Sequence, residues 1–292
     1  MIPHSFGTHD GTFHADEVSA CALLIVFELI QEDKIFRTRG PEELQKCEFV
    51  CDVGGIYDPK IKRFDHHQLE YKGDLSSAGM IWQYLRDEGY VDQALYDYVN
   101  RAIIIGIDAH DNGKVLQQEG VCTFSHVIAN YVPIAHEVTS DQLNEAFFEA
   151  LHFAKGHFKR VIERYHYIQS SKDSVERAMR AHEKVLIFDH SLPWQESFFE
   201  LGGESHPALF VIMPSQDHWK LRGIPPNAKE KMGVRLPLPN EWAGLRNEEL
   251  KKKTGILGAI FCHKGKFISI WETKEDAIKA LNKVLKMKEG HL

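Results

Sequence analysis

The 292-residue chain has an ordinary globular composition, 43% hydrophobic and 26% charged, with a formal net charge of −7. This length is enough for two domains, and the negative charge argues against a uniformly basic surface that coats nucleic acid or membrane. Met1–His9 lacks the basic and then apolar run of a signal peptide, and Val18–Ile30 is too short to span a bilayer, so we expect a cytoplasmic protein without a membrane partner.

Strand-like and helix-like segments alternate through the first half of the chain. Short runs rich in β-branched and aromatic residues predict strands at Ile35–Thr38, Glu48–Val53 and Ile61–Phe64. Helical patterns fill the gaps at Asp16–Gln31, Ala78–Glu88 and Asp92–Ile107. This alternation is typical of a parallel sheet covered by helices on both faces.

A long amphipathic segment follows at Asp141–Ala181, where apolar residues recur at spacings of three and four. The spacing predicts one long helix or a helix pair, with Asp141 as its N-cap. We interpret this segment as the end of the first domain and its connection to the second.

The last part of the chain predicts a second, smaller sheet. Strand-like runs occur at Val185–Phe188, Ala208–Met213, Ala259–Cys262 and Phe267–Trp271, before a final helix over Lys274–Lys286 with Thr273 as N-cap. The fold class is therefore predicted as α/β. An N-terminal domain (residues 1–182) has a largely parallel sheet flanked by helices, and a smaller C-terminal α+β domain covers residues 183–292.

Four short segments place metal-ligating residue types together, each at the end of a predicted strand: Gly7–Asp16, Cys51–Gly55, Phe64–Gln68 and Gly106–Gly113. The carboxyl ends of strands in an open α/β sheet line one crevice, where ligands bind. Carboxylates and imidazoles that converge there need a cation between them, and a mixed set without thiolates suits manganese, iron or zinc, with magnesium as an alternative.

Each segment alone has a plainer interpretation. Asp16 is well placed to cap the helix that begins there, and Asp52 before Gly54 is a common way to start a turn. Asn112–Gly113 is a strong turn signal beside Asp108 and Asp111. The four segments together favour a metal site, because such clusters rarely occur without one.

With Asp65-His66-His67 the chain resembles the DHH phosphoesterase superfamily, and more closely its MYG-type branch, also called metal-dependent protein hydrolases. Gly7–Glu17, Asp52–Asp58, Ser76–Gly79 and Asp108–Gly113 match the signatures of that branch, and Trp242–Arg246 and Gly258–His263 also fit. The resemblance spans nearly the whole chain and implies a DHH-type catalytic domain with two divalent ions, Mn²⁺ or alternatively Mg²⁺.

The resemblance also implies roles for individual residues. Its metal ligands are His9, His14, Asp16, Asp52, His66 and Asp108, with Asp111 as the rival of Asp108. His9 and His14 would hold one ion and Asp16 the other, with Asp52 bridging them.

The catalytic residues implied are Asp52, His67 and Asp65. His67 would face the substrate phosphate and donate a proton to it, and Asp65 would orient the histidines. The resemblance further implies that the second domain holds substrate, and our candidates there are Arg222, Arg235, Arg246 and His263. Surface salt-bridge partners are an equally good interpretation of any one of these four.

The expected activity is hydrolysis of phosphodiester bonds, by an exonuclease acting on RNA or DNA ends. Residues 141–292 carry a net charge of +4 against −11 for residues 1–140, which suits a cation site beside an anionic substrate. A basic stripe on the long helical segment adds to this, although a solvated helix face explains it more simply: Lys155, Lys159, Arg160, Arg164, Lys172, Arg177 and Arg180.

Two other functions stay open. One is hydrolysis of a small phosphate compound, such as pyrophosphate, a short oligonucleotide or a nucleotide derivative, which the negative overall charge favours. The other is a metal-binding interaction protein without catalysis. A homodimer is a further open alternative.

Overall fold

Two compact units, Met1–Tyr165 and His166–Leu292, make up the chain. The structure is a computed structural model that describes residues 1–116, 118–230 and 233–289. The domain boundary predicted at residues 182 and 183 separates a catalytic from a substrate-binding part, and that functional division stays a prediction.

The first unit contains a five-stranded sheet and most of the helices. Its elements in chain order are β1 (Ile2–Thr8), α1 (Ala15–Val26), β2 (Ile35–Arg37), α2 (Pro41–Lys46), β3 (Cys47–Cys51), β4 (Tyr57–Asp58), β5 (Arg63–Phe64), α3 (Ser77–Asp87), α4 (Gln93–Val99), α5 (Ile105–Asp111), α6 (Phe124–Ala129) and α7 (Ser140–Ser170). The strand order is β2-β1-β3-β5-β4, and every neighbouring pair is parallel except β4 with β5. The predicted, largely parallel sheet is confirmed.

One hydrophobic core joins the sheet to α1 and α3. Phe6 of β1 and Phe49 of β3 are buried together with Leu23 of α1 and Trp82 of α3. Burial of an aromatic side chain of this kind contributes about 1.5–3 kcal/mol relative to its exposure. α1, which carries the candidate ligand Asp16, is therefore fixed to the sheet by the same core as α3.

Between α4 and α5, residues Asn100–Ile104 form a single π-helical turn. Helical structure therefore continues from Gln93 to Asp111. The helix predicted over Asp92–Ile107 is four residues longer, and Asp108 and Asp111 lie on a helix. The expectation that they follow a strand is wrong.

The second unit is a mixed sheet with helices of its own. Its elements are α8 (Lys172–Ala181), β6 (Val185–Ile187), α9 (Trp194–Glu200), β7 (Phe210–Ser215), β8 (His218–Gly223), α10 (Asn247–Thr254), β9 (Ala259–Cys262), β10 (Ile268–Trp271) and α11 (Lys274–Glu289). The order is β6-β7-β8-β10-β9, antiparallel except for β6 with β7. This sheet has as many strands as the first, so the prediction of a smaller sheet is wrong, whereas the α/β class is confirmed.

Helix caps agree with the sequence at one of two predicted positions. Thr273 caps α11, where its Oγ1 accepts from the Asp276 amide at 3.1 Å. At α7 the cap is Thr139, whose Oγ1 accepts from the Gln142 amide at 3.2 Å. Asp141, the predicted cap, lies inside the helix. Across the described residues, no helix is both long and apolar enough to cross a membrane.

Candidate metal centre

Three adjacent parallel strands end at one edge of the first sheet and deliver the candidate ligands there. His9 follows β1, Asp52 follows β3, and Asp65, His66 and His67 follow β5. Since the carboxyl ends of parallel strands share an edge, residues far apart in sequence converge at this place. The sheet topology therefore builds the centre that three of the four predicted segments required.

His9 is held in a ligand-like orientation. Its Nδ1 lies 2.9 Å from the carbonyl oxygen of Asp10, which can only accept, so Nδ1 carries the proton. Its Nε2 lies 3.2 Å from Glu17 Oε1 and 3.2 Å from Asp52 Oδ2. Burial would lower the pKa of His9, but the hydrogen bonds to Asp52 and Glu17 outweigh it and raise this pKa to about 10.

Asp52 occupies the middle of the cluster. Its Oδ2 faces His9, and its Oδ1 lies 3.3 Å from His66 Nε2 and 3.4 Å from His67 Nδ1. Burial would raise its pKa, but the two imidazoles of His66 and His9 outweigh it and lower the pKa to about 2. Its backbone has a φ of 58°, a left-handed conformation that Asp and Asn tolerate better than other residues with a side chain.

The carboxylate of Asp65 lies behind His67. Its Oδ1 accepts from the His67 amide at 3.1 Å and lies 2.8 Å from His67 Nδ1, while its Oδ2 accepts from the Gly55 amide at 2.6 Å. Among the described residues no such contact joins Asp65 to His66. The geometry thus matches an orienting role for His67 alone.

Three groups of side chains each bring their donor atoms within 4.8 Å of one another. They are His9, His14, Glu17 and Asp52; Asp52, His66 and His67; and His14, Asp16 and Asp111. Asp52 belongs to two groups and so does His14. His66 connects to the third group as well, since its Nε2 lies 3.1 Å from Asp111 Oδ2.

Asp108 lies outside these groups. Its Oδ1 accepts from the Ser76 amide at 3.1 Å, the Ser76 hydroxyl at 2.7 Å and the Gly79 amide at 3.0 Å. Burial raises its pKa to about 6 despite these bonds. The carboxylate that reaches the histidines from α5 is that of Asp111.

Glu17 is a member of the cluster to which sequence reasoning gave no role. It is fully buried, and its Oε1 also accepts from the His14 amide at 2.9 Å. His14 is the N-cap of α1, so the alternative interpretation of Asp16 as the cap is wrong. A Glu three residues after a cap is a recognisable sequence signal, but it predicts only the start of a helix. The contact of Glu17 with His9 depends on the tertiary fold and has no such signal.

Several buried atoms of the cluster make no hydrogen bond of good geometry, although oppositely charged groups lie close to some of them. They include Asp16 Oδ1, Asp52 Oδ1 and His66 Nε2. Burial, followed by the charges of Asp52, Glu17 and Asp111, raises the pKa of Asp16 well above its usual range. Unpartnered oxygens and a nitrogen at the meeting point of carboxylates and imidazoles fit a divalent cation.

The repulsion among these carboxylates is tested by the substitution Asp16→Asn in metal-free protein. The folded carboxyl has the higher pKa, so it keeps its proton at pH values where the unfolded one has lost it, and stability falls as pH rises between the two. Asn removes that loss, so we expect a higher Tm at neutral pH. Each kcal/mol gained in the free energy of unfolding should raise the Tm by about 2–4 °C. The gain should shrink at acidic pH in thermal melts with chelator.

We expect Mn²⁺ to raise the Tm of the wild type and the same variant to lose that rise, because an amide is a poor ligand for this ion. A metal-free variant that melts below the wild type at neutral pH would show that Asp16 is well accommodated without a cation.

A cleft of about 540 Å³ opens on the cluster, a volume within the range of about 300–1,000 Å³ typical of small-ligand sites. Six members of the ligand groups line it, and the other lining residues come from α5, α6, the residue after α5 and the first residue of α1: His14, Asp16, Asp52, His66, His67, Asp111, Ile107, His110, Asn112, Ser125, Ala15 and Ala129.

The four candidate substrate-binding residues of the second unit differ in whether their side chains already have partners within the protein. The Arg235 guanidinium donates to the carbonyl oxygens of His206 at 2.6 Å, Gly203 at 2.7 Å, Ala208 at 2.9 Å and Pro225 at 3.1 Å. Arg235 therefore holds loops of its own unit together. A substrate could bind this guanidinium only by breaking some of these hydrogen bonds.

The other three candidates lie near β8, β9 and β10. Arg222 of β8 pairs with Ile268 of β10, and the guanidinium of Arg246 lies 5.3 Å from the ring centre of Phe261. His263 Nδ1 accepts from the Gly265 amide at 2.9 Å.

Three of the seven residues of the predicted basic stripe form ion pairs with carboxylates. Lys155 bonds Glu32, Lys172 lies 3.4 Å from Glu200, and Arg180 bonds Glu176 one turn away. The Arg180 pair is typical of a solvated helix face, and the other two join the helical segment to other elements of the chain, so the stripe gives little support to a phosphate track.

Comparisons with known proteins extend over nearly the whole chain. The family MYG1_exonuc, described as "Uncharacterised protein family (UPF0160)", matches residues 5–285. The MYG1 protein of Chlamydia trachomatis serovar D is 51% identical over 286 residues, or 98% of each chain. The MYG1 exonuclease of Homo sapiens is 33% identical over 321 residues, covering 95% of this chain and 85% of the human protein.

Among solved structures, RecJ from Thermus thermophilus in complex with Mn²⁺ matches 97% of this chain and 52% of the RecJ chain. The sequence identity is 11% and the TM-score 0.29, a likeness too weak to support an inference.

Proposed function

The chain belongs to the MYG1 family, as its motifs predicted, and from this premise we propose that it is a metal-dependent phosphoesterase that removes nucleotides from the ends of RNA or DNA. The observation that carries the proposal is the convergence of His14, Asp16, Asp52, His66 and Asp111 on one cleft, with His9 buried beside Asp52. The human relative, 33% identical, is named an exonuclease. A cytoplasmic location remains part of the proposal.

We propose that Asp52 lies between two cation positions, because its two oxygens face different imidazoles. His9 and His14 would hold one ion, and His66 with Asp111 and Asp16 the other. Imidazole with carboxylate suits Mn²⁺, with Mg²⁺ as the alternative. When bound, such a pair of ions activates water and neutralises phosphoryl oxygens during displacement.

His67 is the residue proposed to act on the substrate itself. Asp65 Oδ1 lies 2.8 Å from its Nδ1, which fixes the ring and leaves Nε2 as the available nitrogen. The side chain is 64% exposed and lines the cleft. A protonated Nε2 there can donate to a phosphate oxygen or to the leaving oxygen.

The nuclease proposal is tested with purified protein, Mn²⁺ and end-labelled single-stranded RNA and DNA, beside covalently closed circles of the same sequence. An exonuclease releases mononucleotides from the linear strands and leaves the circles intact. Asp52→Asn protein purified in parallel controls for contaminating nucleases. Equal cleavage by wild type and variant, or rapid cleavage of circles, contradicts the proposal.

Hydrolysis of a small phosphate compound is the second candidate, favoured by the net charge of −11 over residues 1–140, which repels a long polyanion. Turnover of pyrophosphate, a dinucleotide and a long RNA under one set of conditions separates the two. Tight Mn²⁺ binding without cleavage of any of them would favour a non-catalytic metal-binding protein.

Substitution of the two rival carboxylates on α5 distinguishes their roles. We expect Asp111→Asn to weaken Mn²⁺ affinity by about tenfold or more, because Asp111 Oδ2 lies 3.1 Å from His66 Nε2. Asp108→Asn should leave that affinity within about threefold and lower the metal-free Tm, since Asp108 accepts three hydrogen bonds at the start of α3. Metal titration and thermal melts measure both quantities, and the reverse pattern would restore Asp108 as the ligand.

A further inference from the structure

One wall of the cleft is built without metal-ligating side chains. Ile107 and His110 of α5 line it together with Ser125 and Ala129 of α6. None of the four belongs to the three ligand groups. The wall carries no carboxylate, so it offers a surface of different chemistry from the acidic side of the same cleft.

The hydroxyl of Ser125 is buried in this wall without a partner. Ser125 is 4% exposed, and its Oγ makes no hydrogen bond among the described residues. A buried hydroxyl normally has a partner, because leaving it unpaired costs free energy. Ser125 also lines the cleft, so its unpaired hydroxyl lies at the edge of the space that a ligand would occupy.

His110 presents an aromatic ring on the same wall. Its ring is half-buried, and the ring of His126 meets it edge-on with centroids 5.0 Å apart. His126 is fixed in turn, since its Nδ1 accepts from the Thr123 amide at 3.3 Å. The His110 ring is therefore held against the His126 ring, and Ile107, 1% exposed, lines the same cleft.

We propose that this wall is a nucleoside subsite, which holds the base and sugar of the terminal nucleotide while its phosphate lies at the metal centre. The inference rests on the proposed function. The base stacks on the His110 ring, and Ser125 Oγ hydrogen-bonds a polar atom of the nucleoside. A ring, an apolar side chain and one hydroxyl suit a nucleoside better than a second phosphate, for which this wall offers no Lys or Arg.

The test measures binding to Mn²⁺-loaded protein by calorimetry, with AMP, UMP, ribose 5-phosphate and inorganic phosphate as ligands. We expect both nucleotides to bind about tenfold more tightly than the two ligands without a base, as one stacked base contributes. His110→Ala should remove most of that advantage, and His110→Phe, which keeps a ring, should retain it.

Ser125→Ala is expected to weaken nucleotide binding about threefold to tenfold and to leave inorganic phosphate unaffected. Ser19→Ala is the matched control, because Ser19 is also buried with an unpartnered hydroxyl but does not line the cleft. His136→Ala, at an exposed position outside the cleft, controls for loss of a histidine. Both controls should bind nucleotides as the wild type does.

Equal affinity for nucleotides and ribose 5-phosphate, or a His110→Ala protein that keeps the preference for nucleotides, overturns the subsite. If such a protein still digests RNA ends, the proposed function stands without it. If no nucleic acid is cleaved but the base still adds affinity through His110, the nuclease proposal fails and the subsite is retained.

Discussion

Protein carrying Asp52→Asn is expected to lose Mn²⁺-dependent cleavage by at least about a hundredfold. The two Asp52 oxygens lie 3.2 Å from His9 Nε2 and 3.3 Å from His66 Nε2, so one substitution weakens both proposed cation positions. Loss of groups behind metal ligands already costs about 10–100-fold, and a residue between two ions should cost more. Initial rates on end-labelled RNA measure the effect.

The same variant should lose the stabilisation that Mn²⁺ gives to the wild type, about 2.7 kcal/mol at a hundredfold excess over Kd. Asn is the right replacement because it tolerates the left-handed backbone at position 52, where φ is 58°. Asp33→Asn, at an exposed position outside the cleft, is the matched control. If Asp52→Asn retains both cleavage and Mn²⁺ stabilisation, the centre has been wrongly placed.

Gly79→Ala is expected to destabilise the protein by about 3 kcal/mol. A Cβ at this position would lie 2.2 Å from Asp108 Oδ2 and 2.7 Å from its Oδ1. Asp108 cannot move aside cheaply, because its Oδ1 accepts three hydrogen bonds. Either α3 shifts or those bonds break, and both overpacking and unpaired buried groups cost about 1–3 kcal/mol. The Tm should fall by about 6–12 °C.

Gly106→Ala provides the control for this variant. Gly106 lies in α5, and a Cβ there meets nothing within 4 Å. Alanine should therefore raise stability by about 0.5 kcal/mol, through a lower entropy of the unfolded chain. A Gly79→Ala protein as stable as Gly106→Ala would mean that the contact between α3 and Asp108 is loose in solution.

The sequence predicts most strands well because their apolar pattern is local. Ala259–Cys262 is predicted to the residue, and the runs around β3, β6 and β10 are within three residues at each end. By contrast, β1 was not among the predicted runs, although it lies in the middle of the parallel sheet. Pro3 and His4, the latter with a φ of 58°, interrupt the pattern that would have identified it.

The site was predictable as far as strand ends decide it. His9, Asp52 and His66 follow parallel strands, and sheet topology alone brings them together. The choice between Asp108 and Asp111 depends on tertiary contacts, since Ser76 and Gly79 donate hydrogen bonds to the Asp108 carboxylate. No local pattern encodes a hydrogen bond across 32 residues.

The π-helical turn at Asn100–Ile104 lies directly before α5. A π turn holds an extra residue relative to an α-helical one, and each residue of an α-helix advances the helix by about 100°. The extra residue is taken up within the turn itself, so deletion of one residue at Asn100–Ile104 would restore a regular α-helix and leave Asp111 facing His66. A one-codon deletion, which elsewhere in a helix turns the following side chains by about 100°, is therefore tolerable at this turn.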